Sequence, residues 1–347
     1  MPPHSQNLSP PPFSGDTVVT PTGRSRLAGS AGIGLRVAAT LGLIAFVLRG
    51  IDWRSLRTLL ESLDWRWFTA GIVTAVGIQV VAGIRWSALA RPIGFQHSTA
   101  AFVWRFFEGV FFNLCLPSSI GGDVVKAYRL SETTRGRLLA GCTILADRLA
   151  GVSALGVLAG AALLTIKFAL APAATLAVGL ALLVAVIVCF RLAVGSLDRL
   201  LDLLPLQQRL RQFVGQLLPY QQRPHLMTQA IGWSLIVQIG ASVSVALLAQ
   251  GIGVSLDLGI WFSVVPLISL AMVLPVSING VGVREGGMAL LLAPWGVGKE
   301  QAVAIGLLWF FATIVTGLIG GGLFLLDRRN PTDGSVSRAA MPSTAGR

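Results

Sequence analysis

The residues that could do chemistry are eight ionisable side chains in or beside apolar runs: Arg105, Glu108, Asp123, Lys126, Asp147, Arg148, Arg284 and Glu285. At the centre of a bilayer each charge costs about 2.5 to 3.5 kcal/mol. They must therefore pair, line a polar cavity, or lie at an interface. The cations suit a phosphate group and the carboxylates an amine, and Asp123, Asp147 or Glu285 could instead serve as a general base. Arg105 and Glu108 lie three residues apart and can pair on one helix. Asp147 and Arg148 are adjacent, about 100° apart around a helix. They need partners elsewhere, and Asp123, Lys126, Arg284 and Glu285 are the natural candidates. Two readings stay open: an ion-pair clasp between two halves of the chain, or a cavity recognising a lipid headgroup.

The motif charges belong to a repeat. The segment Leu116 to Lys126 recurs as Leu274 to Arg284, with six of eleven positions identical. Each copy directly follows an apolar run, and Pro117 and Pro275 account for the end of the helix before them. Gly121, Gly122, Gly280 and Gly282, with Asn279 among them, allow tight turns and close approach of a ligand. A half-helix starting near Ser119 or Ser277 would aim free N–H groups and a positive dipole end into the membrane, which favours an anion. Both serines are equally well read as plain N-caps. Broken helices in matching places of two halves point to a binding site at the repeat interface of a transporter-like protein.

The elements that must hold these groups are membrane helices. The chain is 54% hydrophobic and 12% charged, with a mean hydropathy of +0.73. A soluble protein carries about twice that share of charge. Apolar runs extend over residues 33–48, 68–89, 99–114, 138–166, 170–190, 227–250, 260–274 and 302–326. Several approach or exceed the ~20 residues that cross a bilayer. Residues 1–30 and 329–347 read as disordered tails around a membrane domain at 31–328. Its motif halves lie at about 67–167 and 227–326, and between them an amphipathic helix at about 196–220 is expected either at the membrane interface or packed against protein loops. Trp53, Trp65 and Trp67 suit a membrane–water boundary. Gly156 with Gly160, and Gly317 with Gly321, have the spacing of close helix packing. The basic loops near Arg91, Arg129 to Arg137, Arg191 to Arg223 and Arg328 all fall on the cytoplasmic side if each broken motif turns the chain back. Both termini are then cytoplasmic, and the two hairpins form an inverted repeat.

The net charge of +12 follows from 27 basic and 15 acidic residues lying mainly between apolar runs. It is explained by topology and anionic lipid, and nucleic acid is not an expected partner. Cys115, Cys142 and Cys189 have no metal-type spacing and are expected as buried apolar groups. His4, His97 and His225 lie in a tail or at loop edges, so no metal or other cofactor is expected.

Three pieces carry a resemblance: Leu116-Pro117 with Gly121-Gly122-Asp123-Val124-Val125-Lys126-Ala127-Tyr128; Leu145-Ala146-Asp147-Arg148-Leu149-Ala150-Gly151; and Asn279-Gly280-Val281-Gly282-Val283-Arg284-Glu285-Gly286. Over residues 33 to 326 the chain resembles the lysylphosphatidylglycerol synthase transmembrane-region family of flippase-like proteins. The resemblance implies an all-α polytopic protein of the bacterial or archaeal plasma membrane, with about eight membrane segments. Some relatives precede a soluble aminoacyltransferase domain, whereas others stand alone in hopanoid, glycolipid or polyprenyl-lipid pathways. Lys126 departs from the family's usual Arg, which weakens bidentate phosphate binding there. With only a polar tail up to residue 347, no synthase domain is expected. The expected function is translocation of a lipid bearing an anionic or lipid-linked headgroup, without a catalytic residue and without a P-loop to drive it. The alternatives are a non-catalytic partner of a lipid-synthesis enzyme and an intramembrane glycosyl- or aminoacyltransferase.

Overall fold

A computed structural model describes residues 38, 41–45, 49, 51–116, 121–165, 223–273 and 277–329. Both tails, the 196–220 helix, Cys189, Pro117, Ser119 and Pro275 lie outside the described residues. The described elements are helical. Helix α1 is Trp53–Glu61, α2 Trp65–Ala90, α3 Thr99–Cys115, α4 Gly121–Leu130 and α5 Thr134–Thr165; α6 is Pro224–Gln250, α7 Leu258–Val273, α8 Val283–Leu292 and α9 Lys299–Arg329. Local chemistry sets the starts. Asp52, Asp64 and Ser98 cap α1, α2 and α3 by accepting from the N–H groups of Arg54, Arg66 and Ala101. Helix α2 ends in a turn at Arg91–Ile93, closed by Gly94 in the left-handed region at φ 110°.

Among the described residues four helices are long and apolar enough to cross a membrane: α2, α5, α6 and α9. At 1.5 Å per residue, the ten residues of α4 and of α8 reach about half of a ~30 Å hydrocarbon layer. The expected count of about eight membrane segments is not settled, because residues 33–48 are described only in part and 170–190 not at all.

The repeat extends well beyond the eleven-residue motif. From α2 to α5 the helices have 26, 17, 10 and 32 residues. From α6 to α9 they have 27, 16, 10 and 31. Each major packing among them has its counterpart when α2, α3, α4 and α5 are exchanged for α6, α7, α8 and α9. Helix α3 lies on α9 just as α7 lies on α5, so each half's short hairpin docks on the other half's last long helix. The equivalent helices α2 and α6 run antiparallel. Asp64 N–H donates to Gly251 O at 2.8 Å, Ser244 Oγ to Gly71 O at 2.8 Å, and Arg85 reaches Ser234 near the other end. Antiparallel equivalents require a two-fold axis in the membrane plane, the geometry of an inverted repeat.

Small residues let the hairpins dock. A Cβ on Gly320 of α9 would lie 2.0 Å from the Phe107 carbonyl oxygen, and one on Gly321 would lie 2.8 Å from the Phe111 ring. The Gly317–Gly321 spacing therefore marks a real interface. Among the described residues Gly160 has no neighbour within 4 Å of its Cβ position. Aromatic and aliphatic side chains fill each half, with Trp86, Phe102 and Phe106 in one and Trp261, Ile268 and Met288 in the other. Trp53, Trp65 and Trp67 are exposed around the start of α2, as an interfacial belt requires. Cys142 is buried, but Cys115, expected inside, is exposed at the hairpin tip.

Candidate functional site

In the first hairpin α3 stops at Cys115, and Leu116 is extended at φ −95°, ψ 137°. A following proline imposes that conformation. Gly121 and Gly122 were expected to form a turn, yet they sit in the first turn of α4. Their use is close approach. A Cβ on Gly122 would lie 2.0 Å from Gly109 O, and one on Gly109 would lie 2.2 Å from Lys126 Cε. The start of α4 is also not free for an anion at every N–H, because Gly122 N–H donates to Asn113 Oδ1 at 2.8 Å.

Lys126 is buried and donates to Asp123 Oδ1 at 3.1 Å. Its ammonium lies 4.3 Å from the Phe106 ring centroid and 5.8 Å from that of Trp86. Asp123 Oδ2 accepts from Arg148 Nε at 3.0 Å and Nη2 at 2.8 Å. One carboxylate thus bridges two cations and ties α4 to α5. Arg148 finds its partner among the motif charges, as its position on the helix demanded.

Asp147 does not. It takes Arg85 of α2 as a fork, Nε to Oδ1 at 2.7 Å and Nη2 to Oδ2 at 2.9 Å, while Arg85 Nη1 donates to Ser234 Oγ of α6 at 2.8 Å. Both side chains are less than a tenth exposed. Arg85 was missed because it stands alone in an apolar run; asking every run for a counter-charge to Asp147 would have found it. Glu108 likewise departs from its expected local pair with Arg105. It accepts from Arg129 Nε at 3.1 Å and Nη2 at 2.7 Å, and Arg129 also binds Asp327 of α9. The hairpin folds α4 back along α3, and that brings Arg129 onto Glu108. Two of these three networks reach the other repeat half, one through the Arg129–Asp327 ion pair and one through the hydrogen bond of Arg85 to Ser234, whereas Asp123, Lys126 and Arg148 pair within the first half.

The second hairpin turns differently. Asn279, Gly280 and Gly282 have φ of 53°, 71° and 84°, a left-handed run that only Gly and a few residues such as Asn tolerate. Gly282 N–H donates to Glu285 Oε2 at 2.6 Å, so Glu285 caps its own helix. Arg284 is fully buried. Its Nη2 donates to Asn279 O at 2.9 Å, and its guanidinium lies against Trp309 and Phe310. Asn279 Nδ2 donates to Leu114 O at 3.3 Å. The two hairpins therefore touch where each helix breaks. A small cavity of about 50 Å³ lies among α2, α6 and α9, lined by Gln79, Ser244, Trp309, Thr313 and Thr316 among others. It has room for water and is too small for a lipid headgroup.

The family described as lysylphosphatidylglycerol synthase TM region matches residues 33–321. The chain belongs to that family. The match covers both hairpins, the long helices beside them up to residue 321, and the charges of the site described above except Asp327. Among curated proteins no relative matches, and among solved structures none does. Membership in this lysylphosphatidylglycerol synthase TM family establishes an integral membrane protein with a lipid-related function.

Proposed function

We propose that the protein moves, or presents for movement, a lipid with a phosphate-bearing headgroup across the plasma membrane. The observation that carries this is the meeting of two half-length hairpins of opposite orientation, through Asn279 and the Leu114 carbonyl. Polar backbone at membrane depth is tolerated only where protein buries it or where it lines a cavity. Asp123, Lys126 and Arg148 on one side and Arg284 on the other then meet the headgroup, while the acyl chains stay in the bilayer. Asp147 holds the long helices through Arg85. Asn279 and Gly280 shape the turn between them. The end of the molecule bearing Arg91, Arg129, Arg137 and Arg223 faces the cytoplasm under the positive-inside rule, and both termini lie on that side.

The test is transbilayer movement of a fluorescent phospholipid in liposomes containing the purified protein. Arg148→Gln and Arg284→Gln should each abolish it at unchanged reconstitution. Movement at the wild-type rate in both variants removes the hairpins from the mechanism. A second reading, a non-transporting partner of a lipid-synthesis enzyme, is favoured by the fact that Glu108, Asp123, Asp147 and Glu285 all have partners. Co-purification with such an enzyme, with no lipid movement by the pure protein, would select it. The same pairing leaves no free general base among those four carboxylates, which supports a protein that does not catalyse group transfer.

A further inference from the structure

The two copies of the motif differ in one respect that bears on binding. In the first, Lys126 has its counter-charge three residues earlier, Asp123 at 3.1 Å. The same position of the second copy is Val281, and Glu285 is turned toward the Gly282 N–H. Arg284 is thereby left without a carboxylate. It is 1% exposed, donates through Nη2 to Asn279 O, and has the Trp309 and Phe310 ring centroids at 5.3 and 5.0 Å. Among the described residues its Nε and Nη1 have no acceptor. Those two nitrogens carry three N–H groups. The rings attract the cation through their faces but accept no conventional hydrogen bond.

A buried guanidinium with donors unmet is strongly unfavourable, and more so at membrane depth. What satisfies it is an anion with several acceptor oxygens spaced to match the planar fork, the geometry of a phosphate. We propose that Arg284 is the receptor for one phosphate-type oxyanion, carried by a lipid headgroup or free in solution. At the first hairpin both cations already have a carboxylate in Asp123, which accepts from Lys126 and from Arg148. This inference rests on the reading of the hairpins as headgroup half-sites and names the group that one of them takes. Arg284 is 1% exposed, so the oxyanion reaches its open N–H groups when the hairpin of α7 and α8 shifts against α9.

The test uses the full chain in an uncharged detergent and reads equilibrium binding by calorimetry. The probes are short-chain phosphatidylglycerol, the matching diacylglycerol without phosphate, and inorganic phosphate. Phe310→Glu puts a carboxylate where the ring now faces Arg284, giving the cation an internal counter-charge while the Arg remains. Arg284→Gln removes the cation. Wild type should bind phosphatidylglycerol at least tenfold more tightly than diacylglycerol, and both variants should lose that preference. If Arg284→Gln does not fold, Phe310→Glu decides alone. Binding of inorganic phosphate by wild type, lost in Phe310→Glu, assigns the site to a soluble anion; binding of the phospholipid alone assigns it to a headgroup. A phosphate preference that is absent from wild type, or that survives in Phe310→Glu, overturns the proposal. Lipid movement plays no part in the measurement. A chain that binds as expected but moves no lipid refutes translocation alone, and one that moves lipid while binding ignores residue 284 refutes this inference alone.

Discussion

Cutting the Arg85–Asp147 bridge should cost very different amounts depending on which end is cut. Both side chains are less than a tenth exposed, and two forked contacts at 2.7 and 2.9 Å join them. Asp147→Leu leaves a buried guanidinium with only its bond to Ser234, at about 3 to 5 kcal/mol for breaking a buried pair. At 1.4 kcal/mol per decade, 4 kcal/mol is nearly a thousandfold in the folding equilibrium. Arg85→Met should cost less, about 1 to 3 kcal/mol for a buried polar group left unsatisfied, because a carboxyl can take up a proton whereas a guanidinium cannot release one. The double variant Arg85→Met/Asp147→Leu should return to within about 1 kcal/mol of wild type, since replacing a buried pair by apolar groups is often neutral. The coupling is then about 3 kcal/mol or more, at the upper end for directly paired residues. The assay is reversible unfolding in mixed micelles, followed by the fluorescence of the nine tryptophans. Single effects that simply add, or that both stay under about 1 kcal/mol as for a surface pair, would refute a dry bridge holding α2, α5 and α6.

Other consequences can be checked in the same preparation. Gly122→Ala should lower thermal stability by about 1 to 3 kcal/mol through overpacking, since its Cβ would meet Gly109 O at 2.0 Å, whereas Gly160→Ala, facing open space, should be neutral or gain up to about 1 kcal/mol of helix propensity. Glu285→Ala should cost about 1 to 2 kcal/mol by uncapping α8, with Glu285→Gln recovering most of it, because an amide oxygen can still accept from Gly282 N–H. His97, in the loop before α3, has its imidazole pushed below the usual 6.5 first by burial and then by Arg105. The unfolded chain therefore binds a proton that the fold refuses, so melting temperature should fall as pH drops through about 6.5 and below, and His97→Gln should flatten that slope. With Cys115 replaced, a cysteine at Glu132 should react with an impermeant thiol reagent only from the cytoplasmic side and one at Glu61 only from outside; the opposite pattern inverts the proposed orientation.

The membrane class, the two interrupted helices and their relation as repeats could be read from residue order, because each depends on local physics. Apolar length decides whether a helix can span, Pro117 and Pro275 stop it, and Asp and Ser begin the next. Lys126 and Arg284 align in the motif but not in the fold, since Lys126 lies in the second turn of α4 and Arg284 in the first turn of α8. What residue order could not supply was the choice of partners. Arg105 is the nearest cation to Glu108 in sequence, but the folded-back α4 delivers Arg129. Asp147 looks toward the motif and is met by Arg85, 62 positions earlier. Two glycines read as turn residues are helical, and Arg284 is distinguished only by what fails to reach it. A charge in lipid must be neutralised, and its amino-acid type alone announces that demand. Which charge answers depends on where separate helices cross, through backbone contacts as close as that of Gly122 with Gly109, and those exist only in the folded protein.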